Sequence, residues 1–177
     1  MQDMKRPKPW RDLGNDIAAV EGLPLRLIIA LVITAITVPM VFGSFKAYDA
    51  NRVEESVLSE IREVSMAAQT VYASGPGNSI AIDFNPASGT MAKVEYVIFG
   101  DMPGGNMSST IRYKIQGRAE CIVPVISPNV PLCGVADVPL TATSQDCIIL
   151  AECMTSETDL NGDGLGPDSF VRMSIIP

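Results

Sequence analysis

An α+β fold, one long N-terminal helix packed on a small antiparallel β-sheet or sandwich, is what this chain of 177 residues predicts. Three observations carry that expectation. Residues 21–45, EGLPLRLIIALVITAITVPMVFGSF, form the one long apolar run. Residues 46–74 place apolar side chains at helical spacing, and no glycine or proline interrupts residues 44–74. Beyond GPG at 75–77 the chain turns to short alternating runs rich in β-branched and aromatic residues, separated by turn chemistry.

Residues 1–20 form a basic leader with Lys5, Arg6, Lys8 and Arg11. In the apolar run, Leu27 to Phe45 are 19 residues without a charge, at about 1.5 Å each close to the thickness of a hydrocarbon core. Arg26 can snorkel to the interface from the first turn. Only Lys46 and Arg52 follow the run closely, so the positive-inside rule puts the leader in the cytoplasm and residues 46–177 outside. A cleaved secretory signal is the competing reading; its apolar core is about 7–15 residues, and this run is longer. Pro39 inside the run removes one helical hydrogen bond and predicts a kink.

In residues 46–74 the side chains of Val53, Val57, Ile61, Val64, Ala68 and Val71 are spaced 4, 4, 3, 4 and 3 apart, one narrow apolar stripe. Glu54, Glu55, Glu60 and Glu63 fall off it and read as a solvated face. Residues 75–78 form a linker turn. In the head, residues 79–177, six candidate strands stand out: SIAIDF at 79–84, KVEYVIF, STIRYKIQG, ECIVPVI, DCIILAE and FVRMSII. Prolines at 124, 128, 131 and 139 point to edge strands and an irregular loop.

Composition narrows the function. Residues 46–177 carry 8 basic and 16 acidic side chains, with no basic stripe, which excludes nucleic acid as a partner. The chain has no histidine, so it lacks the commonest general base and metal ligand. No constellation of carboxylates or nucleophiles points to catalysis. The four cysteines, Cys121, Cys133, Cys147 and Cys153, contain no C-x-x-C; beyond a membrane span they read as two disulfides, against the alternative of buried free thiols. Three pairings are open.

Two short motifs remain. Asp159, Asn161 and Asp163 occupy positions 1, 3 and 5 of a calcium-loop pattern with Gly164 at 6. Position 12 is Phe170, so Asp168 at position 10 would have to complete the site by a different wrap; the alternative is an acidic, glycine-rich turn. Asn106 in NMS is an N-glycosylation sequon.

A basic segment, then a glutamate, then a hydrophobic helix with a mid-helix proline, running into an amphipathic helix and a β-rich head, resembles the archaeal type IV pilin-like family with class III signal peptides. The residues that carry the likeness are AAVEGLPLRLIIALVI, with Ala19, Glu21 and Leu25, and in the head YVIFGD at 96–101 and IRYKIQG at 111–117. The resemblance implies a leader removed before assembly and a filament core built from the hydrophobic helices of many copies. Glu21 would then be the buried acidic residue that sets register, and Pro39 the point where the helix loosens on assembly; a buried carboxylate must be paired, which makes it specific. Otherwise Glu21 pairs at the membrane interface with Arg26 or lipid headgroups. The expected function is a structural subunit of a cell-surface filament whose partners are copies of itself. The second expectation is a non-polymerising tether that holds a surface-layer protein or a glycan.

Overall fold

The computed structural model describes residues 16–102, 104–125, 129–143, 146–157 and 168–176, and for 16–23 the backbone alone. Helix α1 covers Asp16–Ser74 and includes Pro24 and Pro39. The chain divides into two compact units, Met1–Phe45 and Lys46–Pro177, so α1 belongs to both.

In the second unit, α1 ends where Gly75 donates its N–H to the Tyr72 carbonyl at 3.2 Å. Among the described residues eight strands follow: β1 (Ser79–Phe84), β2 (Val94–Phe99), β3 (Thr110–Ile115), β4 (Cys121–Pro124), β5 (Leu132–Cys133), β6 (Leu140–Ala142), β7 (Cys147–Thr155) and β8 (Ser169–Ile176). They form two four-stranded sheets, ordered β1-β7-β8-β5 and β4-β3-β2-β6. All pairs are antiparallel except β5 with β8, which is parallel. The α+β expectation holds, and of its two forms, one sheet or a sandwich, the head has two sheets.

The six strands read from alternation are β1, β2, β3, β4, β7 and β8. The two that alternation does not reveal, β5 and β6, span two and three residues and are too short to show a period. Pro124 closes β4, which pairs with β3 alone among the described residues, as an edge strand with a proline should.

One core takes side chains from α1 and from both sheets. The stripe Val53, Val57, Ile61, Val64, Ala68 and Val71 is at most 1% exposed. Burying each Val or Ile is worth roughly 1.5–3 kcal/mol, which is why a helix whose polar face is so charged stays docked. Phe84 of β1 and Phe99 of β2 meet edge to face at 5.6 Å and bring one strand of each sheet together in the core.

Candidate functional site

The surface most unlike that of an ordinary globular domain lies in the first unit. Helix α1 is long and apolar enough to cross a membrane; its most apolar 18-residue window has a mean hydropathy of 2.4, and none of it is buried by the chain itself. Leu27, Leu31 and Met40 are each about two-thirds exposed. The only hydroxyls between 24 and 45 are turned inward. Thr34 donates to the Ala30 carbonyl at 2.7 Å, Thr37 to Ile33 at 2.9 Å and Ser44 to Met40 at 2.9 Å. Each polar hydrogen is thereby satisfied within the helix, as an environment without water requires.

The helical part of the second unit is held to the head by polar contacts flanking the apolar stripe. The Asp49 carboxylate accepts from the N–H groups of Met91 (2.6 Å) and Ala92 (2.9 Å). Glu54 accepts from the Tyr113 hydroxyl at 3.1 Å and pairs with Arg118, which also reaches Asn51 at 2.6 Å. Ser56 accepts from the Ala87 N–H at 3.0 Å, and Glu60 from that of Asn85 at 3.1 Å. Glu54 and Glu60 are therefore not a merely solvated face: both sit beside the buried stripe, where a carboxylate reaches the head. Proximity to the stripe, one position from Val53 and Ile61, is the signal that marks them.

Burial, with Cys121 and Glu54 adding to it, pushes the Tyr113 phenol well above its usual range, so it stays a donor to Glu54. The Met91 N–H, with those of Ala92 and Thr90 and the nearby Arg52 charge, lowers the Asp49 pKa. A lowered folded-state pKa means a contribution to stability that is present above the ordinary aspartate value of about 3.9 and is lost as pH falls through the folded value. Asp49→Asn keeps an acceptor but removes the charge. Urea unfolding between pH 2 and 6 is expected to show a shallower loss of stability on acidification in this variant than in the wild type; parallel curves would mean that Asp49 takes no part.

The two expected disulfides are not formed: all four cysteines are free thiols. Cys147 and Cys153 lie on the same strand six residues apart, about 20 Å at strand rise, where bridged Cα atoms need to be about 4.4–6.8 Å apart. Cys133 shares a row with Arg172 and Glu152, Cys153 with Val171 and Leu132; adjacent rows point to opposite faces, and β8 stands between the two strands. Cys121 belongs to the other sheet. Burial raises the thiol pKa of Cys133, Cys147 and Cys153 and keeps them protonated.

Among the other sequence-derived candidates, Arg26 and Pro39 lie exposed on α1, while the Glu21 side chain lies outside the described residues. Asp159, Asn161 and Asp163 also lie outside them. Asp168 lines a cleft of about 270 Å³ with Tyr72, Ser108, Asn129 and Ser169. Asn106 is exposed on the turn beside that cleft. Among the described residues no group of three or more His, Cys, Asp or Glu side chains is placed to hold a metal ion. No family model, no curated protein and no solved structure matches this chain.

Proposed function

We propose that the protein is a pilin-like structural subunit of a cell-surface filament. In this reading residues 21–45 anchor each copy in the membrane before assembly and pack against other copies afterwards. The observation that carries it is the bare apolar helix surface of residues 27–45, whose three hydroxyls are satisfied internally, joined to a head with its own core. A helix apolar on every side must be covered by lipid or by other helices. Within the second unit, the helix-binding face of the head is filled by the Val53–Val71 stripe. The basic leader and the acidic head support a cytoplasmic N-terminus and an external head. No chemistry is required of the subunit; association is the activity.

Shuffling residues 27–45 while keeping their composition separates this function from simple anchoring. Lipid accepts any order of the same apolar residues, whereas a packed helix bundle depends on which side chains face their neighbours. The shuffled protein is expected to stay in the membrane fraction while its yield in the sheared extracellular fraction falls ~10-fold or more, since mispacking at each repeated contact multiplies along a filament. Unchanged shedding, or none from the wild type, would sink the filament and leave a membrane-tethered head.

A further inference from the structure

We infer that the edge of the head where α1 enters it is a lipid-binding surface, with Tyr48, Met91 and the cations Lys46, Arg52 and Lys93 set against anionic headgroups. This rests on the reading above that residues 27–45 lie in a membrane before assembly. Burial fixes where the head begins along α1. Among the described side chains, Ala50 is the first of the helix to be buried, whereas Lys46, a turn earlier on the same line, is exposed. Asp49 marks the same level: its carboxylate accepts from the N–H groups of Met91 and Ala92 and so holds the turn between Gly89 and Ala92 to the helix. Phe45 and Asp49 are one helical turn apart, about 6 Å. The headgroup layer is about 5–7 Å deep on each side of the hydrocarbon core, so with Phe45 at the boundary of the core that turn reaches the headgroups.

The side chains at this edge suit a boundary between lipid and water. Tyr48 is 70% exposed and Met91 46%. A tyrosine at headgroup level keeps its ring among lipid and its hydroxyl in water, and the flexible thioether of Met91 fits an irregular apolar surface. Lys46, Arg52, Arg62 and Lys93 are the exposed basic residues of the head, and all but Arg62 belong to this edge. None of these forms an ion pair among the described residues. Side chains on a helix lean toward its N-terminus, so Arg52 has the length to reach back toward the level of Phe45.

Charge and continuity with the apolar run together select an anionic lipid surface as the occupant. The acids at this edge are committed within the chain: Asp49 to the turn, Glu54 to Tyr113 and Arg118, Glu95 to Lys114 and Glu120 to Tyr96. Glu55 has no such partner among the described residues, but it stands about 15 Å along the helix from Phe45, beyond the headgroup layer. The free charges nearest the membrane are therefore positive. The head as a whole carries 16 acidic and 8 basic side chains, so an anionic surface repels it except where free cations gather.

The test uses the full-length chain with Trp10→Phe, which removes its only tryptophan, reconstituted in vesicles of phosphatidylcholine and phosphatidylglycerol brominated near the headgroup end of their acyl chains. Met91→Trp in this background is expected to be quenched by the bromines. Met102→Trp is the control: Met102 is 61% exposed and follows β2, which begins just after Lys93, so the two methionines flank opposite ends of a strand about 20 Å long. It should keep its full fluorescence. A cation beside an anionic surface is worth ~5-fold in the docked population, so Arg52→Gln with Lys93→Gln should lower that population ~25-fold and bring Met91→Trp back to the level of the control. Both side chains are exposed and outside the core, so neither change threatens folding. Equal fluorescence at the two positions, quenching indifferent to the loss of both cations, or quenching as strong in phosphatidylcholine alone would overturn the surface. A chain that fails to float with the vesicles would sink the membrane reading and the docking with it; one that floats while Met91→Trp stays unquenched would sink the docking alone.

Discussion

Gly100→Ala is expected to destabilise the head by about 3–5 kcal/mol, the sum of left-handed backbone strain and a clash with main chain. Gly100 follows β2 with φ of +67°, and a Cβ there would stand 1.9 Å from the carbonyl oxygen of Leu132 and 2.5 Å from its carbon. Those are backbone atoms of β5, so no side-chain rotation can make room. The approach is close because this is where the two sheets meet: Gly100 donates to the Thr110 carbonyl at 2.9 Å, and the next N–H, that of Asp101, reaches the Leu132 carbonyl at 3.3 Å. Gly117 supplies the control. Its φ is +79° but a Cβ would meet nothing within 4 Å, so Gly117→Ala should show the backbone strain alone, about 1–2 kcal/mol. Urea unfolding of the two variants reads the difference. Equal losses would mean that the Gly100 loop moves aside freely and that the sheet junction is not tightly fixed. A typical domain has only about 5–15 kcal/mol in total, so the Gly100 variant is expected to express poorly.

The sequence made the helix and its inward stripe legible because both rest on local periodicity. All six stripe residues are buried, and six of the eight strands coincide with alternating runs. What local pattern could not reveal is non-local. β5 exists through a parallel pairing with β8, some forty positions away, and two residues carry no period of their own. The turn after β5 runs through Ala136 and Asp137, both with positive φ, where neither residue is the glycine that would announce it. The cysteines misled for a related reason. Their count and topology favour bridging, but pairing depends on which faces and strands the fold assigns them, and register put Cys133 and Cys153 on opposite faces. Glu54 and Glu60 were misread because charge on a helix looks solvated until a partner 25 or 64 positions away is known. The length and apolarity of residues 27–45, by contrast, were legible from composition alone: α1 is long and apolar enough to cross a membrane, and its most apolar window is unburied.

Ile61→Asp is expected to have the largest effect on the junction between α1 and the sheets. Ile61 is fully buried at the middle of the stripe, with Val57 and Val64 on either side along the helix. The change forfeits the burial of a large aliphatic side chain, about 2–5 kcal/mol when truncated, and places a carboxylate where no buried charged or polar side chain among the described residues is available to receive it. The chain has two ways to respond. The carboxyl can stay in the core in its neutral form, with its pKa raised by desolvation, or α1 can leave the sheets so that the charge reaches water. In either case the loss should exceed 4 kcal/mol at pH 7 and shrink as pH falls from neutral toward the ordinary aspartate value of about 3.9, below which the carboxyl is protonated in folded and unfolded chain alike and only the cavity and polarity mismatch remain. Ser59→Asp adds the same charge to the same turn at an exposed position and should change stability by no more than about 0.5 kcal/mol. If Ile61→Asp proved as mild as Ser59→Asp, helix docking would have to rest on the polar contacts of Asp49, Glu54 and Glu60 rather than on the stripe. If it is severe while the protein still partitions into membranes, the apolar and amphipathic parts of α1 answer to different forces: the first to lipid or neighbouring helices, the second to the core of its own head.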